Sequence, residues 1–593
     1  RTGPVDEQHP LGGRLPDRAG TVSRGAHRRS QPVRLSPDAL LLYIGLGVLA
    51  GGCAAVYAAT HIGAWLAGQD APPADPWTTL FGVLDGTVAW NSQATAVLAV
   101  LTAACLAAAL AVHTAWRRSR HGRSRVDDTA RWLGRAHEIT PISTRHATTT
   151  ATRLGVDTPG IRIGTAVATG QPVWGTWEDM HIDVWGPRTG KTTSRAIPAI
   201  LDAPGAVLVT SNKRDVVDAT RAPRADKGAV WVFDPQALVD ETPGWWWNPL
   251  SYVTNEVKAA RLAEHFASGS RPPGARTDAF FDPAGRDVLA ALLLAAACDN
   301  RPITEVYRWL SRPTDDTAVD ILRDSGYPLT AEQLAGHIAA PDRQRGGVFG
   351  TAQQMATCLT NRQAAQWVTP TGADDQRLQF EPHTFVAGTE TLYLLSKEGR
   401  GSTGPLTTAL TVAVIEAAED RARISPGGRL PTPLLAVLDE AANVCRWRDL
   451  PELYSHFGSR GIVLMTILQS WAQGIDVWGE SGMRKLWSAA NIAVYGGGVK
   501  DAEFLDMLSK LIGDYDKSTR SVSSGRGHRS VTEQLSRERI MDPADLAALP
   551  TGRAVVLASG ARPTLVKTEP WMTGPHADAV RRSLAVHDPA AAR

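Results

Sequence analysis

The feature that most constrains this chain is a pair of apolar runs close to its N-terminus. Residues 39–66 and 94–116 are dominated by Ala, Leu, Val and Gly. Each run reaches the ~20 residues that a helix needs to cross the hydrocarbon core of a bilayer. The sequence therefore predicts two transmembrane helices over these ranges. The alternative is a pair of helices buried in a soluble core.

The charges that flank the two runs predict an orientation. Residues 1–38 contain seven arginines and residues 117–125 contain five more, whereas residues 67–93 contain three aspartates and no Lys or Arg. Positively charged flanks remain in the cytoplasm. We therefore expect a two-span protein of the cell (inner or plasma) membrane, with both termini in the cytoplasm and only the short loop outside.

Composition argues against a uniformly basic protein that binds nucleic acid over its whole surface, and against a protein built on cysteine sites. The net charge of +2 provides no global basic field, so any contact with nucleic acid must come from local patches. The five cysteines are scattered and form no C-x-x-C pair, which argues against a disulfide framework or a zinc ribbon.

From about residue 160 the sequence has the texture of an α/β fold. Continuous apolar runs alternate with helical patterns, as expected for strands that are buried on both faces of a parallel sheet. These runs are residues 205–212, 228–235, 391–397, 434–440, 461–469 and 491–498. Residues 255–380 instead carry Ala, Leu and charged residues at helical spacing, which predicts an all-α insertion into the sheet.

A phosphate-binding loop follows the predicted strand HIDVW. Such a loop needs glycines that turn backbone N–H groups toward phosphates, a Lys that reaches the β- and γ-phosphates, and a hydroxyl for Mg²⁺. The usual first glycine is replaced by Trp185, and Gly186 comes one residue late. The candidate ATP-binding residues are Gly186, Pro187, Arg188, Thr189, Gly190, Lys191, Thr192 and Thr193.

A second motif, LLAVLDE, places Asp439 and Glu440 at the end of an apolar strand. Ligands bind at the carboxyl ends of strands in open α/β sheets. We expect Asp439 and Thr192 to hold Mg²⁺, and Glu440 to deprotonate the attacking water. The two motifs together predict a P-loop ATPase that uses ATP and Mg²⁺.

Two further candidates belong to the segment GIVLMTILQ and the loop before it. Gln469 ends this predicted strand, where it could sense the γ-phosphate; the alternative is a residue that caps a turn. Arg460 precedes the strand and is a candidate arginine finger for a neighbouring subunit, or a solvated loop arginine. Lys191, Glu440, Gln469 and Arg460 are thus the predicted catalytic residues.

Taken in order, these motifs resemble the TraG/TraD group of type IV secretion coupling proteins, which are conjugative ATPases. The most specific segment is residues 438–474, which ends in Q-S-x-x-Q with Gln469, Ser470 and Gln473. Supporting segments are TSNKRDV (210–216), VFDP (232–235), WNPL (247–250) and residues 541–567. The arginine of the family normally stands at the position of Gly458, so Arg460 is a displaced candidate.

The resemblance implies a RecA-like P-loop NTPase core that assembles into a hexameric, membrane-docked ring. It also implies pumping of single-stranded DNA with its bound relaxase toward the proteins of a secretion channel. The predicted domain bounds are a basic segment (1–38), two membrane helices (39–66 and 94–116) around an external loop (67–93), a linker (117–159), two parts of the nucleotide-binding domain (160–254 and 381–575) around the all-α insertion (255–380), and a C-terminal tail (576–593).

Two local features fit a polymer-handling role. Residues 517–539 predict a flexible basic loop, with Arg520, Arg526, Arg529 and Arg537 as candidate DNA-binding residues. The alternative is an ordinary surface loop. Trp245, Trp246 and Trp247 could stack on bases or form a packed wall under the insertion.

Two other functions remain open at this stage. An FtsK-like translocase of double-stranded DNA shares the motor core, but it would normally carry a winged-helix module, and we expect the residues after Met572 to be too few for one. A receptor that recruits protein substrates to a secretion channel without moving DNA is also compatible with the nearly neutral chain.

Overall fold

A computed structural model describes residues 37–120, 124–270, 278–372, 374–397, 399, 402–525 and 528–590. The α-helices are α1 Pro37–Leu66, α2 Pro76–Leu84, α3 Ser92–Arg120, α4 Thr144–Leu154, α5 Ile197–Asp202, α6 Asp215–Ala225, α7 Glu256–Ser270, α8 Phe281–Cys298, α9 Thr304–Leu310, α10 Thr317–Asp324, α11 Pro328–Ile338, α12 Asp342–Met355, α13 Arg362–Val368, α14 Pro382–Phe385, α15 Gly404–Ile424, α16 Ala441–Val444, α17 Leu450–Phe457, α18 Trp471–Ala489, α19 Ala502–Ile512, α20 Pro543–Ala547 and α21 Ala577–His587.

The β-strands are β1 Ile161–Ala166, β2 Pro172–Gly175, β3 His181–Val184, β4 Val207–Ser211, β5 Val230–Phe233, β6 Trp245–Trp246, β7 Leu378–Gln379, β8 Thr391–Leu395, β9 Leu434–Leu438, β10 Ile462–Leu468, β11 Ile492–Tyr495, β12 Asp514–Gly525, β13 His528–Arg539, β14 Arg553–Ala558 and β15 Thr564–Lys567. Two compact units divide the chain, Arg1–Arg117 with Asp514–Glu538, and Arg118–Gly513 with Arg539–Arg593.

The first unit contains two helical stretches that are long and apolar enough to cross a membrane. Gly45–Leu66 and Ser92–Thr114 have mean hydropathies of 1.4 and 2.4, and only 11% and 0% of these stretches are buried. The core helix of a soluble protein would bury much more of its surface, so the exposure favours membrane spans. The two helices approach closely at Gly63, where an added Cβ would lie 2.6 Å from Ala94.

The second unit is built on an eleven-stranded sheet in the order β2-β1-β15-β14-β11-β3-β10-β9-β4-β8-β5. The strands from β11 to β5 in this order run parallel to one another. Every residue of the central strands β3, β10, β9, β4 and β8 is buried, because helices cover both faces. The continuous apolar runs of the sequence are these strands.

Helices α7 to α13 lie between β6 and β7 in the chain, and the predicted all-α insertion falls on them. The buried face of α8 packs against α7 and α12. Below them Trp245 contacts Trp231 and Trp367 edge-on, with ring centroids 5.4 and 5.5 Å apart. Trp247 is fully buried. Two of the three neighbouring tryptophans therefore form a packed wall and are not free to stack on bases.

The C-terminal residues include a helix that packs on the core. Helix α21 lies within residues 576–593 and packs on α6, with Val580 fully buried against Ile197 and Leu201. The Ser583 hydroxyl donates to the Asp218 carbonyl at 2.6 Å. The predicted tail thus supports the helix that follows the phosphate-binding loop.

The expectation of a loop over residues 517–539 is wrong, because most of this segment is β-strand. The segment forms a two-stranded hairpin of β12 and β13. Ion pairs join the strands, Lys517 to Glu538 at 3.0 Å and Arg537 to Asp514 at 3.1 Å. Thr and Val, which favour strands, are interspersed with charged residues and serines here, and the low hydrophobicity concealed the hairpin.

Candidate nucleotide-binding site

The predicted phosphate-binding loop begins where β3 leaves the sheet. Trp185 is fully buried, and its backbone N–H donates to the carbonyl of Leu468 at 2.9 Å. Its indole packs against Gly496, where an added Cβ would lie 2.0 Å from the ring. Trp185 therefore belongs to the core beneath the loop, and the loop itself starts at Gly186.

Three consecutive glycines after β11 hold the start of this loop. The N–H of Gly186 donates to the carbonyl of Gly497 at 2.9 Å. A Cβ on Gly186 would lie 2.2 Å from the carbonyl oxygen of Gly498, so only glycine fits there. Sequence reasoning assigned no role to Gly496–Gly498, although three glycines directly after a buried strand indicate a close approach of two backbones.

Left-handed backbone at Arg188 (φ 60°) and Gly190 (φ 96°) curls the loop. The Thr189 hydroxyl closes it by donating to the carbonyl of Gly186 at 2.6 Å. Lys191 follows and enters a short π-helical turn, Thr192–Ala196, that leads into α5. Successive N–H groups at the start of a helix make this a suitable cradle for phosphate oxygens.

Lys191 and the acidic pair meet although 248 residues separate Lys191 from Asp439. The Lys191 ammonium lies 3.0 Å from Oδ1 of Asp439 and also contacts Oε1 of Glu440. Burial by itself would lower the pKa of Lys191, but the two carboxylates outweigh it and raise that pKa above its ordinary value. Lys191 is therefore held charged at the edge of the sheet.

Gln469 completes the cluster. Strand β10 lies between β3 and β9 in the sheet, so the ends of the three strands are neighbours. The side-chain amide of Gln469 donates to Oε1 of Glu440, and that of Asn443 approaches Oε2 at 3.4 Å. Glu440 itself has a left-handed backbone (φ 56°, ψ 42°), which costs a residue with a side chain roughly 1–2 kcal/mol.

A second buried ion pair lies under the loop. Arg195 donates from Nε to Oδ2 of Asp183 at 2.7 Å, and both side chains are fully buried. Arg195 also donates to the Arg162 carbonyl at 2.9 Å, and its Nη2 lies 3.2 Å from Nδ1 of His181. Burial, with Arg195 adding to it, holds the pKa of His181 well below its usual value, so the imidazole is neutral.

This pair fastens the π-helical turn to β3, and sequence reasoning missed it. A signal was present, since Asp183 interrupts an otherwise apolar strand and a buried carboxylate requires a partner.

Thr192 and Asp439 are the side chains that could hold Mg²⁺ with the phosphates. Both supply oxygen, and Asp439 is buried while Thr192 is half-buried. Among the described residues no cluster of three or more His, Cys, Asp or Glu forms a metal site made by protein alone. Mg²⁺ commonly takes one or two protein ligands plus phosphate oxygens, so this donor set fits.

The structure does not bring Arg460 to this cluster. Arg460 precedes β10, at the opposite end of the strand from Gln469, and its guanidinium pairs with Glu419 of α15. Arg537 is exposed on the hairpin. Arg526 lies outside the described residues, as do the side chains of Arg520 and Arg529.

A family model described as "TraM recognition site of TraD and TraG" matches residues 433–551, which include Asp439, Glu440 and Gln469. The chain is therefore similar to the TraG/TraD coupling proteins, with the family model confined to this segment. The conjugal transfer protein TraG of Agrobacterium fabrum (strain C58 / ATCC 33970) is 23% identical over 402 residues, 63% of this chain and 57% of that protein. The conjugal transfer protein TraG of Rhizobium radiobacter is 22% identical over 403 residues, 63% of this chain and 59% of that protein.

The chain thus matches less than two thirds of the length of these TraG proteins. Among solved structures, the bacterial conjugative coupling protein TrwBΔN70 superposes with a TM-score of 0.51 at 17% identity, covering 71% of this chain and 91% of that one. This likeness confirms the predicted fold class, a RecA-like core with helical additions.

Proposed function

We propose that this chain is a coupling protein of the TraG/TraD type, a membrane-anchored ATPase that drives single-stranded DNA with its bound relaxase into a type IV secretion channel. The observation that carries the proposal is the contact of Lys191 with both Asp439 and Glu440, the latter also bound by Gln469. A phosphate-binding lysine, an acidic pair and an amide converge at the edge of a parallel sheet, where such folds hydrolyse nucleotides.

In this proposal residues 186–193 bind the phosphates of ATP, and Lys191 neutralises the β- and γ-phosphates. Thr192 and Asp439 would hold Mg²⁺, which when bound offsets the charge that develops on the phosphate oxygens. Because Lys191 now contacts both carboxylates, phosphates that take up its ammonium would release Glu440 toward the attacking water.

Glu440 orients that water and accepts its proton as the water oxygen bonds to the γ-phosphorus and the bond from this phosphorus to the bridging oxygen of the departing ADP breaks. Gln469 contacts the same carboxylate and would sense whether the γ-phosphate is present, because it stands at the end of β10. Arg460 has no place in this subunit's own cluster, so its proposed catalytic role is toward a neighbour in a hexameric ring.

The two apolar helices are consistent with anchoring in the cell membrane. The arginine-rich flanks support an orientation with both termini in the cytoplasm. Relaxase-bound DNA and the channel proteins are the proposed partners of the assembled ring.

The test is ATP hydrolysis by the full-length protein in mild detergent, measured against the concentration of single-stranded and of double-stranded DNA at two salt concentrations. We expect stimulation by single strands, weaker at the higher salt because phosphate contacts release counterions. Stronger stimulation by duplex would favour the FtsK-like translocase. Oligomers that hydrolyse ATP without any response to DNA would favour the receptor for protein substrates.

A further inference from the structure

Helix α2, between the two apolar helices, has an uncovered apolar face. Trp77, Phe81 and Leu84 are 63%, 56% and 73% exposed. Their spacing of four and three residues places them along one side of the helix. Thr79 and Gly82 lie on the other side and are buried. The helix PWTTLFGVL contains no charged residue, which is unusual for a surface bathed in water.

Helix α2 is folded back along the end of α1. The Tyr57 hydroxyl donates to the Ala74 carbonyl at 3.0 Å, and Nε2 of His61 lies 3.2 Å from the Pro73 carbonyl. Tyr57 precedes Leu66, the last residue of α1, by nine positions, which is about 13 Å along a helix. The segment leading into α2 therefore lies level with the last turns of the apolar helix and does not project beyond them.

Polar groups of this segment form hydrogen bonds within the protein, as a place with little water requires. The Thr79 hydroxyl donates to the Pro73 carbonyl at 2.6 Å, and Asn91 donates to the Gly63 carbonyl at 3.1 Å. Backbone groups near the hydrocarbon must be satisfied within the protein. Trp65 and Trp90, which are 78% and 38% exposed, lie at the same end as Trp77. Tryptophan is enriched at the boundary between lipid and water.

We infer that α2 lies in the membrane boundary, with Trp77, Phe81 and Leu84 inserted among phospholipid acyl chains at the end of α1 that leads into the loop. The inference rests on the proposed membrane anchoring. Lipid is the occupant because the face is uncharged and rich in aromatic side chains, and because Ile62 and Trp65 near the end of α1, the helix along which α2 folds back, are also exposed and apolar.

The experiment uses the full-length protein in phosphatidylcholine vesicles, with an environment-sensitive fluorophore on one introduced cysteine. Cys53, Cys105 and Cys298 are replaced by Ala. Cys358 and Cys445 remain, because burial raises the pKa of these thiols to about 12 and about 11 and keeps them unreactive at neutral pH. The reporters are Phe81→Cys and Leu84→Cys, with Asp70→Cys as the control in the same loop and Leu106→Cys as the control in α3.

Quenching is measured with lipids that carry a nitroxide near the headgroup or near the end of the acyl chain, and with aqueous iodide. We expect headgroup-level nitroxide to quench positions 81 and 84 at least about twofold more than position 70, with the opposite order for iodide. Iodide quenching at positions 81 and 84 equal to that at position 70 overturns the inference. So does protection from both quenchers, which would indicate a covering protein.

The Leu106→Cys reporter separates this inference from the proposed anchoring. Deep nitroxide should quench it whenever α3 spans the bilayer. A Leu106→Cys reporter that lipid nitroxides leave untouched would refute the anchoring itself, whereas a quenched Leu106→Cys with iodide-exposed positions 81 and 84 refutes only the placement of α2.

Discussion

At the scale of single residues, a departure in the phosphate-binding loop is offset by a distant glycine. Trp185 fills the place of a loop glycine, yet its ring lies in the core because Gly496 leaves room for it. Gly186 then takes over the start of the loop by packing against Gly498. The large side chain and the glycines that face it are complementary in volume, so neither can be interpreted alone.

The roles of Lys191 and Glu440 are separable by substitution. Lys191→Ala should abolish nucleotide binding, because no other described side chain in the cluster is positively charged. Glu440→Gln should retain binding and lose hydrolysis by roughly 10²–10⁴-fold, the usual contribution of a general base. Binding of a fluorescent ATP analogue and phosphate release measure the two effects. Glu503→Gln, at an exposed position of α19, is the matched control. Near-normal hydrolysis by Glu440→Gln would refute the assignment.

The contact between Gly186 and Gly498 predicts a steric effect on nucleotide binding. Gly186→Ala should displace the loop, since its Cβ would lie 2.2 Å from a backbone oxygen, and overpacking of this kind costs about 1–3 kcal/mol. ATP affinity should fall by at least about tenfold, on the scale of 1.4 kcal/mol per decade. Gly346→Ala, in α12 with open space around it, should leave affinity unchanged. Equal affinities of the two variants would contradict the packing argument.

At the scale of elements, two segments outside the nucleotide motifs, predicted as a tail and a loop, form a helix and a hairpin. Helix α21 buries Val580 against α5, the helix that continues the phosphate-binding loop. The hairpin of β12 and β13 forms a two-stranded sheet of its own. An isolated hairpin is marginally stable in water, and its exposed cross-strand ion pairs add little. We therefore expect a ligand to be needed to hold it rigid.

If that ligand is DNA, the arginines of the hairpin should set the salt dependence of binding. Replacing Arg526, Arg529 and Arg537 with Ala should weaken single-stranded DNA binding and flatten its dependence on salt by up to about 0.7 per lost phosphate contact. Basal ATP hydrolysis should survive, while stimulation by DNA is lost. Titrations at two salt concentrations measure both effects. A control variant removes the same amount of charge elsewhere by replacing Arg312, Arg343 and Arg423 with Ala. An equal loss of DNA binding in that control would indicate non-specific attraction.

At the scale of the whole molecule, the order of strands decides which residues can react together. The order β3-β10-β9 places the end of β10, with Gln469, beside the strands that lead to Lys191 and to the acidic pair. Arg460 lies at the other end of β10, where it pairs with Glu419. A catalytic role for Arg460 therefore requires a second subunit.

This separation predicts that Arg460→Ala acts only in the oligomer. ATP binding should stay normal, and the rise of specific activity with protein concentration should disappear, since a finger supplied by a neighbour works only after assembly. Hydrolysis measured across the assembly range tests this. Glu419→Gln breaks the same ion pair and retains the arginine, so it should retain the concentration dependence. Identical profiles for Arg460→Ala and the unaltered protein would remove Arg460 from the mechanism.

The orientation of the chain in the membrane is a further prediction for the whole molecule. A membrane-impermeant thiol reagent added to intact cells should label Asp75→Cys but not Ser119→Cys, because the arginines after the second span hold that end in the cytoplasm. Lysed cells, in which both variants should react, provide the control. Labelling of Ser119→Cys in intact cells would reverse the proposed topology.

The sequence by itself determined the features that depend on short-range patterns. The apolar runs, the buried strands and the loop at residues 186–193 are recognisable because burial and backbone curvature impose local periodicity and local glycines. The fold class and the resemblance to the TraG/TraD coupling proteins followed from these features. The site residues could be named, but their roles stay predictions.

Only the tertiary structure decided which distant residues meet. Three such contacts cannot be recognised in any single segment of the sequence. They are the packing of Trp185 on Gly496, the ion pair of Arg195 with Asp183 and the docking of α21 on α6. Such contacts depend on the order in which strands join the sheet, and that order is set by the burial of many side chains together. The meeting of Gln469 with Glu440 has the same cause, because it requires β10 to lie beside β9 in the sheet.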